Sequence, residues 1–255
     1  MKIVTWNVNS LRVRLGQLSE WVQLEMPDIL CLQETKVEDG AFPKEILLEM
    51  GYHSAFSGQK TYNGVAILSR WPIEDVRTDL AGYADDQKRF IAATINHVRV
   101  VNLYVPNGSE VGCEKYRYKL TWLENMRLLL EQELRSYPSL VVVGDFNIAP
   151  TDADVYDPIA WDGKVLCSKP ERDAYQRILD LGLHDSLGRF ATGSDSYTWW
   201  DYRTNAFRRG QGLRIDHVLV SSALAPLCAG CHVERSLRAL DRPSDHAPVV
   251  IEISV

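Results

Sequence analysis

The chain has 255 residues, of which 45% are hydrophobic and 24% charged, with a formal net charge of −6. That composition excludes the collagenous, low-complexity and disordered classes, and a chain of this length buries a core without staples. No apolar run approaches the roughly 18 residues of a membrane span, the start Met1-Lys2-Ile3-Val4 shows no apolar leader, and the scattered, odd-numbered cysteines fit a reducing setting, so a cytoplasmic location is expected.

Taken in chain order, strand-like β-branched runs fall at 2–8, 28–32, 64–69, 90–95, 98–105, 140–144, 215–220 and 248–253. Helical patterns lie between them. Leu15, Leu18 and Val22 share a face before Pro27, and Leu120, Leu123, Met126, Leu130 and Leu134 do so over a longer stretch. Ser168-Lys169-Pro170-Glu171 has the form of a capping box, opening a helix that carries Tyr175, Ile178 and Leu179 and stops at Gly182. No Gly/Ser/Pro-rich linker interrupts the alternation, so residues 1–255 are expected to form a single α/β domain. Eight or more strands are many for one open sheet, and two packed sheets covered by helices are expected instead.

The acidic balance argues against tight, indiscriminate nucleic-acid binding, whose affinity comes from Lys and Arg contacts to phosphate. One stretch runs the other way, with four arginines and no acid between Arg203 and Arg214. It is a candidate phosphate-contacting loop, or else a solvated surface loop. Cys228-Ala229-Gly230-Cys231 has no second Cys/His pair of zinc-site spacing and reads as structural.

Polar residues gather at strand ends, where a scaffold holds side chains rigidly around a shared pocket. Thr5-Trp6-Asn7-Val8-Asn9 and Leu32-Gln33-Glu34-Thr35-Lys36 are two such ends, and Leu103-Tyr104-Val105-Pro106-Asn107-Gly108 is a third. In Val141-Val142-Val143-Gly144-Asp145-Phe146-Asn147, alternation along an extended backbone puts Asp145 and Asn147 on one side. An acid beside an amide orients a water and holds a phosphate oxygen, although Asp-Phe-Asn also suits a strand-ending turn. In Ser244-Asp245-His246, Asp245 cannot readily orient its own neighbour, so His246 needs another carboxylate, and Asp216 is available.

Asn7, Glu34, Tyr104 in Tyr-x-Pro-x-Gly, Gly144-Asp145-x-Asn147, Tyr197-Thr198-Trp199-Trp200-Asp201-Tyr202-Arg203, Leu213-Arg214-Ile215-Asp216 and Ser244-Asp245-His246-Ala247-Pro248 together resemble the ordered motif set of the exonuclease III family. The likeness runs from Asn7 to Pro248, and seven motifs in order are far more specific than any one. It implies the four-layer α/β sandwich of the endonuclease/exonuclease/phosphatase superfamily, with two packed mixed β-sheets flanked by helices.

The resemblance also implies a metal-dependent DNA repair nuclease, a 3′–5′ exonuclease, an abasic-site endonuclease or both. Glu34, with Asn7 and Asp245, would then hold Mg²⁺ or Mn²⁺, since hard oxygen donors without a Cys/His cluster disfavour zinc. Asp145 would position or deprotonate the attacking water, Asn147 would hold the phosphate, and His246, oriented by Asp216, would donate to the oxygen gaining charge. Tyr104 would stabilise that charge or the leaving group; the identity of the base is open among Asp145, His246 and Tyr104.

Trp199, Trp200, Arg203 and Leu213 would form a pocket for a baseless deoxyribose or a platform for a terminal nucleotide, with core packing the competing and favoured reading for Trp200, and Arg89 and Lys115 would contact DNA backbone. The expected partner is double-stranded DNA with abasic sites, nicks or 3′-ends, bound by a monomer. Two departures leave the balance of activities open: the loop around Leu166–Glu171 is shorter than in many relatives, and Trp-Trp stands where Trp-Phe is common. A superfamily phosphoesterase for a non-nucleic substrate is the alternative; a catalytically dead DNA-binding scaffold is disfavoured by the intact motif carboxylates and His246.

Overall fold

The computed structural model describes residues 1–80 and 82–255. Among the described residues, twelve strands form two mixed sheets. One is built from β1 (Lys2–Asn7), β2 (Ile29–Gln33), β3 (His53–Ser57), β4 (Val65–Ser69), β11 (Cys228–Val233) and β12 (Val249–Ile253), in the order β11-β12-β1-β2-β4-β3. The other holds β5 (Glu74–Arg77), β6 (Phe90–Ile95), β7 (Val98–Tyr104), β8 (Leu140–Asp145), β9 (Leu183–Asp185) and β10 (Asp216–Ser221), in the order β5-β6-β7-β8-β10-β9. The central pairs β1–β2 and β7–β8 are parallel.

The inner faces of both sheets share one apolar layer, with Ile3, Cys31 and Ile67 from the first and Ile91, Val141 and Val218 from the second. Alternation sends the other faces outward onto helices. Val4, Leu30 and Leu68 meet Leu18 and Val22 of α1 (Leu11–Glu25) and Leu47 of α2 (Lys44–Glu49). Leu103, Val142 and Leu219 meet Trp122, Met126 and Leu130 of α3 (Glu114–Ser136), then Tyr175 and Ile178 of α5 (Lys169–Leu179). The result is the four-layer α/β sandwich, and both outer and inner faces of the central strands are buried, which explains their unbroken apolar runs. Short α4 (Pro158–Trp161) and α6 (Ser186–Phe190) complete the helices.

The capping box at Ser168 and Glu171 forms in both directions at the start of α5. In α3 the buried stripe is wider than the leucine spacing implies, taking in Trp122 and Leu129, and it includes Lys119 and Glu133 as buried charges. None of the described helices is long and apolar enough to cross a membrane. All five cysteines are unpaired, and the Cys228/Cys231 pair lies on edge strand β11.

Where the two sheets meet, Gln33 Nε2 donates to Thr5 Oγ1 and Asn102 Oδ1, and Asn102 Nδ2 donates to the carbonyls of Leu32 and Ala66. Buried polar groups that satisfy one another hold a single register between layers. That register brings the ends of β1 and β2 level with those of β7, β8 and β10.

Candidate active site

A cleft of about 480 Å³ opens at these strand ends, lined by Glu34, Tyr104, Asp145, Asn147, Asp245 and His246 on its floor and by Trp161, Leu166, Trp199 and Arg203 on its rim. The turns leaving the strands are tight: Asn9, Glu34, Lys36, Asn147 and Leu166 all take positive φ. Left-handed backbone at non-glycine residues costs energy and persists where surrounding contacts over-determine it, as is common at functional sites.

Asp145 and Asn147 both face the cleft, but strand alternation is not the reason. Asn147 lies past the strand at φ 51°, and its N–H donates to Asp145 Oδ1 at 2.9 Å, so a strand-ending turn brings the pair together. Asn147 Nδ2 donates to the carbonyl of Val105, and its Oδ1 accepts from Asn107 Nδ2 at 3.0 Å.

His246 Nδ1 pairs with Asp216 Oδ2 at 2.9 Å, which leaves Nε2 directed toward Asp145 Oδ2, 3.7 Å away. All three side chains are buried, with ligand-capable atoms within 4.8 Å of one another. Burial disfavours the imidazolium, but the carboxylates of Asp216 and Asp145 outweigh it and push His246 up to about 10. Burial, with Asp216 and Glu34 close by, pushes Asp145 up to about 7 against the opposing pull of His246 and Asn7. The two groups are therefore tuned apart, one to keep a proton near neutrality and the other to accept one.

Glu34 anchors the opposite wall. Its Oε1 accepts from Tyr104 Oη at 2.8 Å and Asn7 Nδ2 at 2.9 Å, and its Oε2 faces Lys36 Nζ at 2.9 Å. Burial opposes its charge, yet Lys36 and Asn7 overcome it and lower its pKa. Burial and the adjacent Glu34 charge raise the Tyr104 phenol well above its ordinary range. Asn7 Nδ2 also reaches Asp145 Oδ2 at 2.9 Å and spaces the two carboxylates.

Asp245 joins this wall through Asn9, whose Nδ2 donates to its Oδ1 at 2.9 Å, while Trp199 Nε1 donates to its Oδ2 at 3.1 Å. The backbone of Trp199 bridges to both Leu213 and His246, and Thr198 Oγ1 accepts the N–H groups of Ile215 and Asp216. The three C-terminal motifs are thus one interlocked unit.

The structure separates several residues grouped by their motifs. Trp200 is fully buried, packed edge-on against Phe207 at 5.1 Å, so it is not a cleft residue; consecutive side chains point apart, and Trp199 takes the cleft side. Leu213 is also fully buried, in an apolar cluster with Val155, Leu166 and Ile215 behind Trp199. Arg214 leaves the proposed basic loop for the interior, where Asp154 and Asp185 hold it at 2.6 and 2.5 Å. Asn7 points its Nδ2 at the Glu34 and Asp145 carboxylates, and its Oδ1 accepts the Asn9 N–H. Arg89 stacks 4.5 Å over the Tyr104 ring and shares a second cleft of about 510 Å³ with Lys115, Gln59 and Tyr62.

Asn9, Lys36 and Asn107 carry cleft contacts that motif reading did not assign. Each lies two or three residues beyond an assigned residue in the same strand-end turn, and that proximity was the available signal. Trp161 on the rim left no such trace.

Residues 4–246 match the model of the Endonuclease/Exonuclease/phosphatase family. The chain is 37% identical to Exodeoxyribonuclease III of Haemophilus influenzae over 99% of both proteins. Among solved structures, it superposes on the 3′-5′ exonuclease NExo of Neisseria meningitidis with a TM-score of 0.97 and 49% identity, over 99% of each chain. An AP endonuclease from Archaeoglobus fulgidus aligns over the full length of both chains with a TM-score of 0.95 and 40% identity. By sequence and by fold, the chain belongs to the endonuclease/exonuclease/phosphatase family, in its exonuclease III branch.

Proposed function

We propose that the protein is a metal-dependent DNA repair nuclease that hydrolyses phosphodiesters as a 3′–5′ exonuclease, with incision at abasic sites as a second activity. The observation that carries this reading is the convergence on one cleft of Asp145, Asn147, the Asp216–His246 pair and Glu34, beside an aromatic and basic rim of Trp199 and Arg203. The named activities of its relatives, an exonuclease and an AP endonuclease, support both halves.

Asp145, with its pKa raised toward neutrality, orients and deprotonates the attacking water. Asn147 and Asn107 present amides to a phosphate oxygen, and His246 donates from Nε2 to the oxygen that gains charge, with Asp216 fixing the ring. Tyr104, kept protonated, serves as a hydrogen-bond donor at the same edge of the cleft.

The cleft offers carboxylate and amide oxygens and no thiol, a donor set that fits Mg²⁺, with Mn²⁺ as a substitute. Glu34 and Asp245 would hold the ion, which would neutralise phosphate charge and polarise the scissile bond. Asn7 serves by spacing Glu34 from Asp145. Aromatic rings and arginines suit stacked or extruded nucleotides, and Arg89 with Lys115 extends the basic surface toward flanking backbone. Double-stranded DNA with abasic sites, nicks or 3′-ends, bound by a monomer, is therefore the proposed substrate. Unpaired thiols favour a reducing, cytoplasmic setting.

The test sets a recessed 3′-end duplex beside an internal abasic-site duplex, each with Mg²⁺, Mn²⁺ or EDTA. Degradation from the 3′-end and loss of both activities in EDTA are expected. Hydrolysis of inositol phosphates without action on either duplex would sink the reading, and a Glu34→Ala variant with full metal-dependent rate would remove the metal assignment.

A further inference from the structure

Behind the cleft wall lies a charge that the proposed chemistry does not use. Lys119, on α3, is wholly buried and forms an ion pair with Glu171, which is equally buried at the start of α5. The remaining donors of its ammonium go to two backbone carbonyls, those of Asn107 at 3.1 Å and Asn147 at 2.6 Å. An ammonium has three donors, and all three are spent.

The choice of carbonyls is specific, because these are the two residues whose side-chain amides meet in the cleft at 3.0 Å. Glu171 spreads the tie further. Its Oε1 accepts the Leu166 N–H at 3.0 Å, and its Oε2 accepts from Ser168 N and Oγ at 3.1 and 2.5 Å. Leu166 lines the cleft opposite Asn147 and returns its carbonyl to Ala149 N at 2.8 Å. Three loops from three different parts of the chain therefore hang from one ion pair.

We infer that Lys119 is a positioning residue for phosphodiester cleavage, holding the Asn107 and Asn147 amides as a single rigid phosphate-oxygen clamp through their backbone carbonyls. A clamp of this kind works only if its donors are fixed where charge develops, since preorganised dipoles cost no reorganisation during reaction. Left-handed Asn147 needs such an external hold. Glu171 keeps the charge tolerable in the interior, where an unpaired ammonium would be expelled or neutralised.

The inference rests on Asn147 holding the phosphate, and the two can fail separately. The variants are Asn147→Ala, Lys119→Met with Glu171→Gln, and the three changes combined, assayed for kcat and KM on a recessed 3′-end duplex well below each melting temperature. Lys119→Met/Glu171→Gln is expected to lower kcat about 100-fold with KM changed less than about threefold, the size of losing one well-placed donor. Adding it to Asn147→Ala is expected to cost less than about fivefold more, because both act through the same amide.

Lys119→Arg, which keeps a cation for Glu171, is the second variant should the first not fold. The planar guanidinium cannot repeat the ammonium's three-way reach to Glu171 and the carbonyls of Asn107 and Asn147, so the carbonyls must shift and kcat should fall about tenfold. Wild-type kcat in the folded Lys119→Met/Glu171→Gln protein, or in Lys119→Arg, overturns the inference, as does a full multiplicative loss in the combined variant. Wild-type kcat in Asn147→Ala would instead sink the phosphate role itself.

Discussion

Gly144 is one residue before Asp145 in the middle of the second sheet, and replacing it with alanine should damage chemistry and stability together. At its φ of +142°, a Cβ would fall 1.9 Å from the Leu103 carbonyl oxygen and 2.8 Å from the carbonyl carbon. Those atoms are backbone and cannot swing away. Reaching an ordinary contact requires β7 and β8 to part locally by about 1.5 Å, because cores are packed too densely to absorb the difference elsewhere. The register pairs Leu103 with Gly144 and Tyr104 with Asp145, so the movement passes directly to both cleft residues.

A misplacement near 1 Å costs on the order of 100-fold in rate. Strain from the backbone and the broken ladder adds roughly 2–4 kcal/mol of destabilisation, which lowers Tm by about 5–15 °C in a chain of this size. The assay is kcat on a recessed 3′-end duplex beside a thermal melt, with Gly16→Ala in α1 as the control. Nothing lies within 4 Å of a Cβ at Gly16, and helix propensity alone should stabilise that variant slightly. A Gly144→Ala protein with kcat within twofold of wild type and an unshifted Tm would refute the reasoning.

Asp216→Asn should reduce stability in EDTA in a pH-dependent way. His246 is raised from 6.5 to about 10 in the fold, so the stabilisation from its protonated form is complete below about 6.5 and vanishes as pH rises through about 10. Urea titrations should therefore show a gap from wild type that narrows across that window; a gap that widens would contradict the pairing. Tyr104→Phe should lower kcat about tenfold without removing an alkaline limb near 10 from the pH–rate profile, because burial already raises the phenol well above its ordinary range. Arg214→Met should cost about 3–5 kcal/mol by leaving Asp154 and Asp185 without their buried partner, read as a fall in the urea midpoint.

The eight strand-like runs all became strands, displaced by a residue or so at their ends, and the four strands without such a run are β3, β5, β9 and β11. Every one of those four is an edge strand. An edge strand such as Glu74–Arg77, largely exposed, pairs on one side and needs no continuous apolar stretch, so its local sequence carries little of its fate. Central strands are covered on both faces and must be apolar throughout, which is why they could be read directly.

The same division runs through the site. Motif order along the chain pointed to the family and to Glu34, the Asp145/Asn147 pair and His246 as cleft residues, because each lies at or beside the end of a strand whose identity is local. Only the tertiary structure decided that Leu213 is core behind Trp199, that Arg214 turns inward, and that Lys36 and Asn9 join Glu34 to Asp245. It alone revealed that Lys119 and Glu171, 52 residues apart, meet behind the two amides. Side-chain direction and burial depend on which segments pack together, and segments distant along the chain are brought into contact only when both sheets close on a common core.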